Sequence, residues 1–227
     1  MRRSWDIFCT VIDNFGDIGV CWRLAMQLAV EHHQSVRLWV DDLASFASIA
    51  HDIDSQSHRQ RLHDVDICLW QPSAIEDVEP ADVVIEAFGC ELSEYYVQRL
   101  ALKRTPYVWI NLEYLSAESW VPHYHGLSSP HPVLPLTKTF FFPGFLPGTG
   151  GLLRERHLIS HRRSFDAESE HEFLRRHGFP VRTSAEIRVS LFCYETAPVE
   201  RLVQILREST VPVSLFVPEG NVALRIS

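Results

Sequence analysis

Asp13 and Asp17 flank Asn14-Phe15-Gly16, and a further glycine follows at Gly19. Two carboxylates so placed can grip a flat cation and relieve it of a proton. One acts as general base and the other orients a cationic nucleophile. The same residues fit a plainer task, because an aspartate before or within a first helical turn satisfies free N–H groups and complements the helix dipole. Spacing alone leaves both readings open. Gly16 and Gly19 are expected to let the backbone turn sharply and approach a ligand closely. This is no dinucleotide fingerprint, since the first glycine of G-x-G-x-x-G is missing and carboxylates here would repel a pyrophosphate.

Phe192 and Tyr194 form a second candidate pair. They stand two apart near the end of an apolar run, so on a strand they share a face, where they can stack on a nucleobase or simply pack into a core. Gly148-Thr149-Gly150-Gly151 has the composition of a phosphate cradle, but no Gly-Lys-Ser/Thr follows and a flexible turn is expected. His123, His125 and His131 with Glu113 offer zinc-type ligands at a spacing that fits no standard site. No Ser-His-Asp or Cys-His arrangement is supported by spacing, and no metal site is expected.

The elements that hold these residues alternate. Apolar runs at 6–12, 36–40, 67–70, 81–88 and 107–112 read as strands. Helical patterns at 18–32, 42–50 and 91–103 fall between them. Such alternation predicts an α/β fold, a Rossmann-like parallel sheet. The Asp13–Asp17 pair then sits in the first strand-to-helix turn, at the carboxyl end of the strands where open α/β sheets bind ligands. From 113 to 151 the chain is rich in proline, glycine and aromatics, with an edge strand expected at 139–145. A helix at 166–177, a strand at 186–194, a helix at 198–208 and a strand at 213–218 begin a second α/β layer. Two strands and a helix cannot cover both sheet faces, so a truncated two-domain protein is expected.

Bulk properties narrow the class. The 227 residues are 46% hydrophobic with a formal net charge of −8, which argues against a general nucleic-acid binder. No apolar run approaches the ~20 residues that span a bilayer, and no signal-peptide pattern opens the chain. Five scattered cysteines without a Cys-x-x-Cys pair read as reduced, buried thiols of a cytoplasmic protein.

Asp13-Asn14-Phe15-Gly16-Asp17-Ile18-Gly19-Val20-Cys21-Trp22-Arg23-Leu24-Ala25 resembles the opening block of the bacterial protein-arginine rhamnosyltransferases that mature elongation factor P. Asn111-Leu112-Glu113-Tyr114-Leu115-Ser116-Ala117-Glu118-Ser119-Trp120 resembles a second block. Phe142-Pro143-Gly144-Phe145 with Thr149-Gly150-Gly151-Leu152-Leu153-Arg154-Glu155 resembles a third, and Ser190-Leu191-Phe192-Cys193-Tyr194-Glu195 a fourth. The resemblance implies a GT-B enzyme, two Rossmann-like domains across a cleft. It implies inverting transfer of L-rhamnose from dTDP-β-L-rhamnose to an arginine of elongation factor P, without metal, cofactor, membrane or direct nucleic-acid partner.

Under that resemblance Asp13 and Asp17 match acidic acceptor-site positions, with Asn14, Phe15 and Gly16 as the acceptor-site loop. Phe192 and Tyr194 match aromatics around the donor nucleotide. The implied map is an acceptor domain at 1–155, a linker at 156–184 and the start of an incomplete nucleotide-sugar domain at 185–227. The alternative of the same family is a non-catalytic, acceptor-binding fragment. A nucleotide-dependent oxidoreductase, suggested by sheet order alone, is opposed by the missing fingerprint.

Overall fold

Near-continuous apolar runs become strands covered on both faces. In the computed structural model, β1 (Ser4–Cys9) buries its last four residues and β5 (Val83–Ala87) buries all five. The structure describes residues 2–12, 15–71, 75, 77–181, 185–218 and 220–226. By contacts the chain divides into a first unit, Met1–Arg156, and a second, His157–Ser227.

In the first unit β1 leads into α1 (Gly16–Met26), which widens into a π-turn (Gln27–Glu31). Next come β2 (Ser35–Val40), α2 (Leu43–Ile49), β3 (Arg59–Leu62) and β4 (Val65–Leu69). After β5 the chain runs through α3 (Glu94–Leu102), β6 (Val108–Leu112), α4 (Val121–Tyr124), β7 (Ser128–Pro130) and β8 (Thr137–Phe141). The sheet order is β3-β4-β2-β1-β5-β6-β8-β7, with β3 and β7 antiparallel to their neighbours. The six parallel strands follow the order of a doubly wound dinucleotide-type fold, so the order reverses between β1 and β5.

Each face of this sheet has its own core. On one side Ile7, Leu38 and Ile85 pack against Ile18, Cys21 and Trp22 of α1, with Phe46 of α2 set edge-on to Trp22 at 5.2 Å. On the other, Phe8 stacks on Trp39 at 5.8 Å and meets Tyr96 of α3 edge-on at 4.9 Å. Helix starts are fixed as the side chains dictate. Asp42 accepts the Ala44 and Ser45 amides, and Ser93 accepts the Tyr96 amide. All five cysteines are free thiols, and burial pushes Cys68 up to about 11 and Cys90 up to about 12.

The second unit holds α5 (Leu158–Ser164), α6 (Ala167–Arg176), β9 (Ile187–Ser190), α7 (Val199–Arg207), β10 (Val213–Phe216) and α8 (Asn221–Ile226). β9 and β10 are parallel, joined through α7. Among the described residues no helix is long and apolar enough to cross a membrane.

Three expectations are corrected. The strand anticipated at 139–145 is β8, which ends at Phe141 and is interior, because β7 pairs along its outer side. The 113–151 region is not one loop, since it also carries α4, β7 and a bridge between Ser116 and Gly144. The strand anticipated at 186–194 stops at Ser190, where the short partner β10 runs out at Phe216.

One buried charge ties the first unit together. Asp6 on β1 is inaccessible to solvent and accepts Arg37 Nε and Nη2 at 2.6 and 2.7 Å, Trp39 Nε1 at 3.1 Å and the Ala81 amide at 3.0 Å. The Tyr96 hydroxyl donates to the same carboxylate. Burial, aided by the Asp6 charge, holds the Tyr96 phenol well above its ordinary range, so it stays a donor. A carboxylate so fully met is structural. Asp6→Ala removes the anion and strands Arg37 and Tyr96, and is expected to lower stability by about 3–5 kcal/mol. Urea unfolding checks this, and a loss under about 1 kcal/mol would contradict the network.

Candidate functional site

Beyond Cys9, β1 turns toward α1, and the Ile12 amide donates to Asp17 Oδ2 at 3.0 Å. Asp17 lies in the first turn of α1, where an acid complements the helix dipole. Its side chain has no exposure to solvent. The Tyr114 hydroxyl donates to Asp17 Oδ1 at 2.9 Å. Both of these donors come from outside α1, so the carboxylate joins the turn to a distant loop.

Tyr114 stands two residues beyond β6, and its ring stacks on Phe88 with centroids 4.4 Å apart and planes 19° from parallel. Phe88 follows directly on β5 and has φ 57°, the left-handed region. A non-glycine residue held there costs about 1–3 kcal/mol and persists only where its surroundings enforce it. The enforcement is visible, because the Phe88 amide donates to the Leu112 carbonyl at 2.7 Å while the ring faces Tyr114. Asp17, Phe88 and Tyr114 thus come from the turns after β1, β5 and β6, which are adjacent strands flanking the reversal of strand order. Open α/β sheets bind ligands at that crevice.

Exposure differs sharply across the cluster. Asp17 is sealed, whereas Tyr114 is 48% exposed. The phenol is therefore the face that the carboxylate's network shows to solvent. Beside it, Asn111 is buried and its Nδ2 donates to Glu113 Oε1 at 2.6 Å, which fixes a second carboxylate next to Tyr114 in the chain. Farther along, Trp120 packs edge-on to Tyr124 at 5.5 Å and to Phe142 at 5.6 Å, with Trp120 and Tyr124 about half exposed. The Asp17–Tyr114–Phe88 cluster offers a desolvated carboxylate, a phenol and an aromatic face, suited to a planar cation.

Of the anticipated residues, Asp17, Phe15 and Gly16 fall together at the start of α1, Phe15 as its N-cap without a side-chain capping bond. Asp13 and Asn14 lie outside the described residues. Gly16 and Gly19 are not turn residues as anticipated. Both are helical in α1, whose hydrogen bonding starts when the Gly19 amide donates to the Phe15 carbonyl at 2.9 Å. Phe192 and Tyr194 belong to the second unit, beyond the end of β9, with exposures of 73% and 63%. The shared-face argument for them fails with the shorter strand, but neither ring is packed into a core.

The other motifs take structural roles. His125 Nδ1 accepts the Phe142 amide at 3.1 Å, and His131 Nδ1 accepts the amides of Val133 and Leu134. Gly148-Thr149-Gly150-Gly151 is a packed turn, in which a Cβ on Gly150 would lie 2.4 Å from the Phe141 ring. Sequence reasoning gave no role to Phe88 or Tyr114, and weighed Glu113 only as a zinc-type ligand. Their signal is positional, since Phe88 closes the anticipated strand at 81–88 and Glu113 and Tyr114 follow directly on the one at 107–112.

Comparison with known proteins agrees with the resemblance read from the sequence. Residues 5–227 match the family model described as elongation factor P (EF-P) rhamnosyltransferase EarP. The chain is 49% identical to a protein-arginine rhamnosyltransferase of Pseudomonas aeruginosa over 222 residues, covering 96% of this chain and 58% of that protein. It is 47% identical to the corresponding protein of Pseudomonas putida, covering 100% of this chain and 60% of that protein. A Neisseria meningitidis protein of the same name is 37% identical, with 92% of this chain and 52% of that protein covered. The chain therefore spans little more than half the length of these curated relatives. On these matches the chain belongs to the EarP family of elongation factor P rhamnosyltransferases.

Proposed function

We propose that the intact protein transfers L-rhamnose from dTDP-β-L-rhamnose to an arginine side chain of elongation factor P, with inversion at the anomeric carbon. The observation that carries this reading is the sealed Asp17 carboxylate joined to the hydroxyl of the half-exposed Tyr114. Arginine is a weak nucleophile because its charge is delocalised and its guanidinium stays protonated. A carboxylate in a dry site can align the planar group through charge-assisted hydrogen bonds and receive its proton.

In this scheme the acceptor's N–H takes over, or shares, the acceptor site at Asp17 Oδ1 now used by Tyr114. A terminal guanidinium nitrogen forms its bond to the anomeric carbon while the carbon–oxygen bond to dTDP breaks. The electron pair leaves on the diphosphate, and the nitrogen's proton passes to Asp17. Asp13 orients the guanidinium, and the two acids can exchange roles. Phe15, Gly16 and Asn14 shape the acceptor loop.

Phe192 and Tyr194, exposed in the second unit, are assigned to stack on the donor's base in a GT-B arrangement. The scheme calls on no metal, because helix N-termini and side chains of the nucleotide-sugar domain meet the leaving diphosphate's charge. Its setting is the cytoplasm, where elongation factor P works.

Mass spectrometry of elongation factor P, incubated with dTDP-L-rhamnose and protein of the relatives' full length, tests the assignment. Asp17→Asn is expected to lower transfer at least about 10²-fold. Placing an amide NH2 among the former donors also destabilises by about 1–3 kcal/mol, so folding is checked by circular dichroism. Wild-type transfer by a folded Asp17→Asn protein would end the base assignment. Tyr114→Phe retains the Phe88 stack and loses the hydroxyl, with an expected drop of about tenfold in kcat/KM. An acceptor with lysine in place of the target arginine is expected to gain no mass, because an ammonium lacks the planar fork. A rhamnosylated lysine would contradict that geometry.

A further inference from the structure

The helix that carries Asp17 also holds the last residues of the first unit. Arg23 of α1 meets Glu155 in two parallel bonds, Nε to Oε1 at 2.7 Å and Nη2 to Oε2 at 2.8 Å. One turn later, in the π-turn, Gln27 Nε2 donates to the Arg154 carbonyl and to Glu31 Oε2. Glu31 Oε1 accepts the Arg156 amide at 2.8 Å. Three consecutive residues are thus each gripped by α1 or its continuation.

This segment has little else to hold it. Residues 151–155 form no regular element, and none of residues 151–156 is buried. An ordinary connecting stretch relies on buried side chains or on ladder bonds; here no side chain is fully buried, and the backbone is met by a long bond from the Gly144 amide to the Gly151 carbonyl, 3.4 Å. Arg23 and Glu155 are 43% and 31% exposed, so as a surface pair they contribute under about 1 kcal/mol to stability. Their geometry is nonetheless specific, because a bidentate fork fixes direction as well as distance. The π-turn, an uncommon widening found often at functional sites, brings Gln27 and Glu31 to bear on the same strip.

We propose that Arg23 and Glu155, with Gln27 and Glu31, form a clamp that fixes where the chain leaves the first unit relative to Asp17, making them positioning residues for transfer. The proposal rests on the reading of Asp17 as the base. Whatever follows Arg156 in the intact protein departs from a point locked to the base-bearing helix. Loosening the clamp leaves acceptor binding intact and misplaces the reacting groups. A misplacement on the order of 1 Å can cost about 10²-fold in rate.

The test uses the full-length protein with Arg23→Met, Glu155→Gln and the reciprocal double variant Arg23→Glu/Glu155→Arg. Expected for Arg23→Met is a fall in kcat of about ten- to a hundredfold. KM for elongation factor P and the unfolding midpoint should hold at wild-type values, while amide exchange at 154–156 rises. The reciprocal variant should recover most of the lost kcat. Wild-type kcat despite faster exchange at 154–156 overturns the proposal. So does a loss that follows a lowered unfolding midpoint and is not recovered by reversing the charges. Asp17→Asn runs alongside: its wild-type transfer would refute the base assignment, whereas its inactivity beside a fully active Arg23→Met refutes the clamp alone.

Discussion

A carboxylate cut off from water must be met by donors, and two of those that meet Asp17 come from outside its own helix. The Ile12 amide holds it to the turn after β1, and the Tyr114 hydroxyl holds it to the loop after β6. Tyr114 in turn stacks on Phe88, which is kept in a left-handed conformation at the end of β5. One buried charge therefore sets the mutual positions of the turns around the sheet's reversal point. The parallel register of β1, β5 and β6 brings those turns level, and the carboxylate joins them.

Among the described residues of the first unit two aspartates are buried, and their surroundings differ. Asp6 is closed on all sides by Arg37, Trp39, Tyr96 and the Ala81 amide, with a cation of its own. Asp17 has a neutral phenol as a partner, and that phenol is half exposed. Exchanging a neutral donor at the rim for a cationic one strengthens the bond, because charge-assisted hydrogen bonds are roughly twice as strong as neutral ones. In the proposed scheme an arriving guanidinium forms that stronger bond in exchange for its own desolvation.

Much of this was legible in the residues. The alternation of apolar runs with helical patterns gave the α/β class, and the four family blocks gave the lineage. The place of Asp17 between the first strand and the first helix was legible as well. What escaped had physical causes. β3 reads Arg59-Gln60-Arg61-Leu62, polar because one of its sides has no neighbouring strand. β7 is three residues ending in proline, below any periodic signal. The strand before Phe192 was overextended because an apolar run continues past the point where β10 stops pairing. Gly16 and Gly19 looked like turn glycines, yet helical hydrogen bonding absorbs both. Tyr114 and Phe88 could not be paired from sequence, since their contact depends on strand order across the reversal. The structure also links the blocks that carried the resemblance, the first to the second through Asp17 and Tyr114, and the first to the third through Arg23 and Glu155.

The central claim is that Asp17 receives the acceptor's guanidinium in the space now governed by Tyr114. A crystal structure of the full-length protein with an arginine-bearing elongation factor P domain bound addresses it directly. The account predicts a guanidinium nitrogen about 2.7–2.9 Å from an Asp17 carboxylate oxygen, with the Tyr114 hydroxyl shifted or sharing that oxygen. An arginine seated away from an undisturbed Asp17–Tyr114 bond would contradict it.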